Sequence, residues 1–311
     1  MDQKIVQTIN MSITAPELPE RLGRRPHLIE TVEQIFRSKT DVVCVEARSG
    51  YGKTALLLEF ASYGTGPSFS SFLGSASRAS HDQAFVRHDL ADQVHWFLHG
   101  KRLAADADLT DGDLRTLWRR CATALIRQRR QGFVVVDGLH HIAGKEVGTR
   151  EAILDLLPFG IRPFKVLLSG NVDDVLKAQA RKVRVKSLPI SAFTHHETDE
   201  FLEDIVADKE QRRTYHSALA GVPYLLASVR RQLGRVDELA GKIDPANLTD
   251  INSVLESEWN ALVVGRGESL ENVLAALVAT GAPASTETLA EQCGQPAGKI
   301  DRWFEDLPFL S

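Results

Sequence analysis

Two rhythms of apolar residues run along this chain. Val42-Val43-Cys44-Val45, Phe133-Val134-Val135-Val136 and Val166-Leu167-Leu168 are apolar at every position and read as strands buried on both faces. Ser68–Leu73 and the weaker Val183–Lys186 add two more. Between the strands the spacing turns helical. Leu28, Ile29, Val32, Ile35 and Phe36 share one face over Pro26–Arg37, and helices are expected at Ala55–Ala61, His81–Leu98, Asp111–Arg130 and Ala152–Leu157. Strands alternating with helices predict an α/β fold with a parallel sheet and helices on both faces.

The texture changes after Pro189. Thr194, Glu197 and Thr198 precede Phe201, Leu202 and Ile205, the pattern of a capped helix. Gly221-Val222-Pro223 interrupts before a helix at Tyr224–Leu233, and four short helices follow at Ile251–Val264, Ser269–Thr280, Ser285–Cys293 and Ala297–Leu307. The expected organisation is a lead-in at 1–20, the α/β domain at 21–190, a small helical domain at 191–246 and a third domain at 247–311.

Composition narrows this little. At 311 residues, two or three domains are expected. A net charge of -4 gives no global pull toward nucleic acid or an anionic membrane. Cys44, Cys121 and Cys293 are far apart, which argues against a zinc or disulfide framework and fits reduced thiols in a cytoplasmic protein. No apolar run approaches the roughly 18 residues of a membrane helix.

The chemistry concentrates at Ala47-Arg48-Ser49-Gly50-Tyr51-Gly52-Lys53-Thr54. Strand, [Gly/Ala]-x4-Gly-Lys-[Ser/Thr] and helix in that order form a phosphate-binding loop. Gly50 and Gly52 let the backbone curl so that N–H groups at Ser49, Tyr51 and Ala55 and their neighbours face phosphate oxygens. The helix start adds its dipole and free donors. Lys53 reaches the β and γ phosphates, and Thr54 offers a hydroxyl to Mg²⁺. Ala47 stands where the strict pattern has glycine. The bland alternative, a chance Gly-Lys-Thr in a loop, lacks the flanking strand and helix. Asp137 ends the buried run 133–137 where ligands bind in parallel sheets, and fits a Mg²⁺ role beside the loop. By itself it could equally cap a turn.

These motifs resemble those of STAND-class ATPases, the NACHT and NB-ARC relatives of AAA+ proteins. Val136-Asp137-Gly138-Leu139-His140-His141 is similar to their Walker B stretch, and Leu22-Gly23-Arg24-Arg25 to the motif that precedes their phosphate loop. Val166–Gly170 sits where they carry a sensor strand, and Gly221-Val222-Pro223 matches their Gly-x-Pro. The resemblance covers roughly residues 20–310. It implies a P-loop NTPase sheet, a helical lid and a winged helix that bind ATP or ADP with Mg²⁺ and couple nucleotide exchange to opening and homo-oligomerisation. By the same resemblance Arg24 lies near the adenine, Pro223 packs on the base, and Ser169 reads the γ-phosphate. Surface charge and a simple inter-helix turn are the bland readings of Arg24 and Pro223.

The departures matter. His140 and His141 replace the acids that polarise the attacking water, which leaves His141 as an imidazole base and predicts weak hydrolysis. A hydrolysis-dead scaffold is therefore an alternative, as is a DNA-binding AAA+-like ATPase or transcription regulator. The last helices look like a helix-turn-helix, but Lys299 and Arg302 are offset by Glu305 and Asp306, so packing is preferred to DNA reading. The chain stops before wing strands form, as in the N-terminal part of a longer protein with sensor or effector domains. The arginines of 115–130 read as a solvated face, and Trp96, Trp118 and Trp259 as core. Glu46, a strand-end acid, has no evident role.

Overall fold

The computed structural model describes residues 12, 14–16, 23–63, 65–73, 82–104, 107–139, 147–173, 183–234, 270, 272–273, 275–276 and 286–300. It forms two compact units, Met1–Ser191 and Ala192–Ser311.

The first unit is built on five parallel strands: β1 (Val42–Glu46), β2 (Ser68–Phe72), β3 (Gly132–Asp137), β4 (Phe164–Ser169) and β5 (Val185–Pro189). Their order is β2-β3-β4-β1-β5. Helices α1 (Pro26–Arg37), α2 (Lys53–Tyr63), α3 (Gln83–His99), α4 (Asp111–Arg127) and α5 (Val147–Asp155) alternate with them. Successive strand side chains point to opposite faces, so each continuous apolar run feeds two cores. Val42, Cys44, Val134, Val136, Val166 and Leu168 pack with α3, α4 and α5. Val43, Val45, Phe133, Val135 and Leu167 pack with α1 and α2. Each such side chain, fully buried, contributes about 1.5–3 kcal/mol. Trp118 anchors the first core: its ring meets Phe69 and Phe164 edge-on at 5.4 and 5.0 Å, and its indole N–H donates to the Leu156 carbonyl at 3.0 Å. Trp96 is only half-buried, and Trp259 lies outside the described residues.

Several boundaries differ from the expected ones for local reasons. α4 stops at Arg127 rather than Arg130 because Arg129 turns left-handed and the Arg130 N–H returns to the Leu125 carbonyl. α5 ends at Asp155, before Leu157, since the residue preceding Pro158 is disfavoured in a helix. β5 runs over 185–189 instead of 183–186: the Asp41 carboxylate holds the Arg184 N–H at 3.0 Å and aligns Val42 with Val185.

β2 is an edge strand, yet its edge is closed. The Gln93 amide of α3 takes both backbone groups of Ser70, accepting from its N–H and donating to its carbonyl at 2.8 Å each. The Thr14 hydroxyl accepts from the Phe72 N–H at 2.9 Å, and Ser12 and Thr14 both donate to Asp89. Side chains thus occupy the ladder positions that an added strand would take.

The second unit contains α6 (His195–Leu202), α7 (Lys209–Ala218), α8 (Pro223–Gly234) and α9 (Thr286–Cys293). Phe193, Phe201, Leu202, Tyr215, Leu219, Leu226 and Val229 form a core. The Thr194 hydroxyl and Glu197 carboxylate close a capping box on α6. Sequence patterning misses α7, whose only buried residue is Tyr215, so no apolar rhythm marks it. Of the later expected helices, 251–264 and 301–307 lie outside the described residues, while 270, 272–273, 275–276 and 297–300 are helical. Among the described residues no helix is long and apolar enough to cross a membrane.

Gly221 closes the α7–α8 connection with φ +64°, and a Cβ there would lie 2.4 Å from the Phe193 carbonyl oxygen. His216 stacks on His195 at 3.7 Å, and its Nδ1 pairs with the Thr198 hydroxyl at 2.9 Å. Burial, then the His195 charge, holds His216 below its ordinary value, against the opposing pull of Asp199.

Replacing Gln93 with Ala strands two buried backbone groups and should cost about 2–4 kcal/mol of stability in urea unfolding. His216 binds fewer protons folded than unfolded, so the second unit loses stability as pH falls below 6.5. A pH series of thermal unfolding should show this, with a shallower slope in His195→Gln.

Candidate functional site

The strands point their C-terminal ends to one edge, and the candidate residues collect there. β1 delivers the chain into the 47–52 loop, and α2 begins at Lys53. Gly50 and Gly52 take φ of 80° and 86°, the left-handed values the curl requires. Space is not the constraint at Gly52, where a Cβ would meet nothing within 4 Å. Leu56, Leu57, Leu58, Phe60 and Ala61 are buried, which fixes the start of α2 behind the loop. The Lys53 ammonium donates to the Ala47 and Arg48 carbonyls at 3.0 and 3.1 Å, against the loop's own backbone.

Thr54 and Asp137, separated by 83 residues, meet: the Thr54 hydroxyl donates to Asp137 Oδ2 at 2.5 Å. Asp137 is 5% exposed, and its Oδ1 is buried with no hydrogen-bond partner among the described residues. A buried, unpartnered carboxylate oxygen beside a threonine hydroxyl is a hard oxygen set that fits Mg²⁺.

Two clamps hold this edge. Ser169, fully buried at the end of β4, accepts the Gly138 N–H at 2.8 Å and so fixes the turn directly after Asp137. Glu46 ends β1, where its Oε1 accepts the Val172 N–H at 3.0 Å and its Oε2 accepts the Ser187 hydroxyl at 2.7 Å. One carboxylate thereby joins the base of the loop to the exit of β4 and to β5. These partners lie 126 and 141 residues away, out of reach of any local pattern.

The structure therefore gathers Ser49, Gly50, Tyr51, Gly52, Lys53, Thr54 and Ala55 with Asp137 and Ser169. Arg24 is exposed, just ahead of α1. Its neighbour Arg25 is buried instead: its N–H donates to Glu59 at 3.3 Å and its guanidinium to the Ser191 carbonyl at 2.9 Å. Pro223 belongs to the second unit, where it is the buried first residue of α8. His140 and His141 lie outside the described residues.

No protein-family model and no curated protein matches this sequence. Among solved structures, a Walker-type ATPase of Pyrococcus abyssi superposes with a TM-score of 0.56 at 13% identity, over 96% of this chain and 92% of that one. The chain has the fold of a Walker-type P-loop ATPase. A STAND protein with a tetratricopeptide repeat sensor from Pyrococcus horikoshii gives 0.47 at 13% identity, over 94% of this chain and 40% of that one. Cdc6p of Pyrobaculum aerophilum gives 0.44 at 12% identity, over 97% and 88%. In the P-loop fold, the phosphate loop follows a buried strand and opens a helix, which is the arrangement of β1, residues 47–52 and α2 here.

Replacing Ser169 with Ala leaves the Gly138 N–H without its acceptor beside Asp137. The expected cost is about 1–3 kcal/mol in urea unfolding.

Proposed function

We propose that this chain is an ATP- or ADP-binding molecular switch of the STAND signalling class, with slow hydrolysis coupled to domain opening and oligomerisation. The observation that carries the nucleotide reading is the convergence of Lys53, Thr54 and the unpartnered Oδ1 of Asp137 at the mouth of a glycine-curled loop. Backbone N–H groups of the loop and the start of α2 bind phosphate oxygens. Lys53 exchanges its two loop carbonyls for the β and γ phosphates. Thr54 and Asp137 hold Mg²⁺, which when bound neutralises phosphate charge. Ser169 reads the γ-phosphate while its oxygen holds Gly138. Arg24 and Pro223 serve the adenine side, a reading that rests on the motif resemblance alone.

A link from the loop toward the second unit supports coupling. Glu46 pairs with Pro189 in register, and its carbonyl accepts the Ile190 N–H at 2.9 Å. Its carboxylate holds Ser187 of β5, and the Arg25 guanidinium takes the carbonyl of Ser191, the last residue of the first unit. A change at the loop thus bears directly on the segment that leads out. His140 and His141, standing in for carboxylates, support weak turnover in which His141 acts as base. Such turnover suits a switch, whose work is differential binding of two states. Cytoplasmic location and further sensor or effector domains in a longer chain belong to the same reading.

ATP or ADP with Mg²⁺, at about 100 times Kd, should stabilise the protein by about 2.7 kcal/mol in thermal unfolding. Lys53→Ala should lose that gain, and Asp137→Asn should lose its Mg²⁺-dependent part. A wild-type chain indifferent to both nucleotides would overturn the proposal.

A further inference from the structure

Helix α4 carries an exposed face rich in arginine. Between Asp113 and Asp137 the sequence contains no acidic residue, yet it places arginines at 115, 119, 120, 127, 129 and 130. This accumulation arises in a chain whose 41 acids outnumber its 37 Lys and Arg, so it does not follow from a basic composition. Arg115, Arg119, Arg120, Arg127 and Arg129 are all exposed, opposite the face on which Leu114, Trp118, Cys121 and Leu125 are buried.

Four exposed arginines elsewhere take acidic partners: Arg37 with Glu33, Arg102 with Asp92, Arg184 with Asp41, and Arg213 with Glu210. Arg48 and Arg162, also exposed, take none among the described residues, and neither do the exposed arginines that α4 gathers on one face. Arg115, Arg119, Arg127 and Arg129 have no acidic partner among the described residues, and Arg120 meets only the ring of His99, at 3.4 Å. The two acids that open the helix are already engaged. Asp113 closes the capping box with Thr110, and Asp111 takes Arg87 at 2.8 Å and Gln83 at 3.2 Å. The helix dipole favours cations only in the last turn, so it accounts for Arg127 and its successors but not for Arg115, Arg119 and Arg120.

We infer that this face of α4 docks the phosphate backbone of double-stranded DNA. From Arg115 to Arg127 the helix rises about 18 Å, and duplex DNA presents one negative charge per about 1.7 Å of its axis. Guanidinium groups are planar, fixed in charge and matched to phosphate oxygens. A single strand needs aromatic platforms, and the exposed positions of α4 hold none. RNA recognition leans on its 2′-hydroxyl, whereas the hydroxyls of Thr116 and Thr123 on this face already donate to the helix's own Gly112 and Arg119 carbonyls. Ile126 is the only large apolar side chain exposed on α4, too little to enter a lipid surface. Contacts to the phosphate backbone carry no sequence information, so binding through them is independent of sequence.

The test is fluorescence anisotropy with a labelled DNA duplex of about 20 base pairs, at salt from about 50 to 200 mM. The wild type is compared with a variant carrying Arg115→Gln, Arg119→Gln, Arg120→Gln and Arg127→Gln. At low salt the variant should bind about tenfold more weakly or worse. Its slope of log affinity against log salt should be shallower by about 0.9 for each phosphate no longer neutralised. Its nucleotide binding should match wild type, because these residues lie outside the phosphate loop. Failure of the duplex to bind wild type, or an unchanged slope in the variant, would sink the inference and leave the nucleotide reading intact. Tighter binding to polyglutamate, duplex RNA or anionic lipid vesicles than to DNA would reassign the surface and overturn it likewise.

Discussion

A parallel sheet covered by helices on both faces has only its strand ends within reach of ligand. Val43 to Val45, Val134 to Val136 and Leu167 to Leu168 are closed off from water on either side. Their backbone groups are consumed in the ladder, and no side chain of theirs can do chemistry. Whatever the first unit binds through its sheet must be met where the strands stop. The residues at those stops, Glu46, Asp137 and Ser169, are polar for that reason and are held by partners from other segments of the chain.

The hydrogen bonds at that edge run between segments far apart in sequence and leave one oxygen out. Ser169 fixes Gly138, Thr54 takes Asp137 Oδ2, and Glu46 satisfies Val172 and Ser187 with both its oxygens. Asp137 Oδ1 remains buried and unpartnered among the described residues. An orphaned carboxylate oxygen is costly in a folded protein, and its position next to the loop is the physical reason to assign it a cation. The opposite economy operates on the backbone of the β2 edge, where Gln93 takes the N–H and carbonyl of Ser70 and Thr14 takes the N–H of Phe72.

The two surfaces proposed to meet phosphate use different physics. The loop at 47–54 works with backbone N–H groups, a helix start and one lysine, in a curl that only glycine relaxes into. The α4 face works with flexible guanidinium groups on an exposed helix, with no shape to select one anion over another. The first suits a small ligand held by geometry, the second a long polyanion held by charge.

The alternation of apolar runs and helical spacing was enough for the sequence to determine the sheet, its helices and the phosphate loop, because strands buried twice over must be continuously apolar and the curl of the loop demands glycine. Asp137 was legible for the same reason, as an acid at the end of such a run. The tertiary structure alone decided the rest. It set the strand order, gave Glu46 its two partners, joined Ser169 to Gly138, and buried Arg25 in place of Arg24. It also produced α7, whose polar surface shows no rhythm, and showed that Arg115, Arg119 and Arg127 of α4 have no acidic partner among the described residues. Each of these depends on contacts between residues distant in the chain or on the absence of a neighbour, and local spacing carries neither.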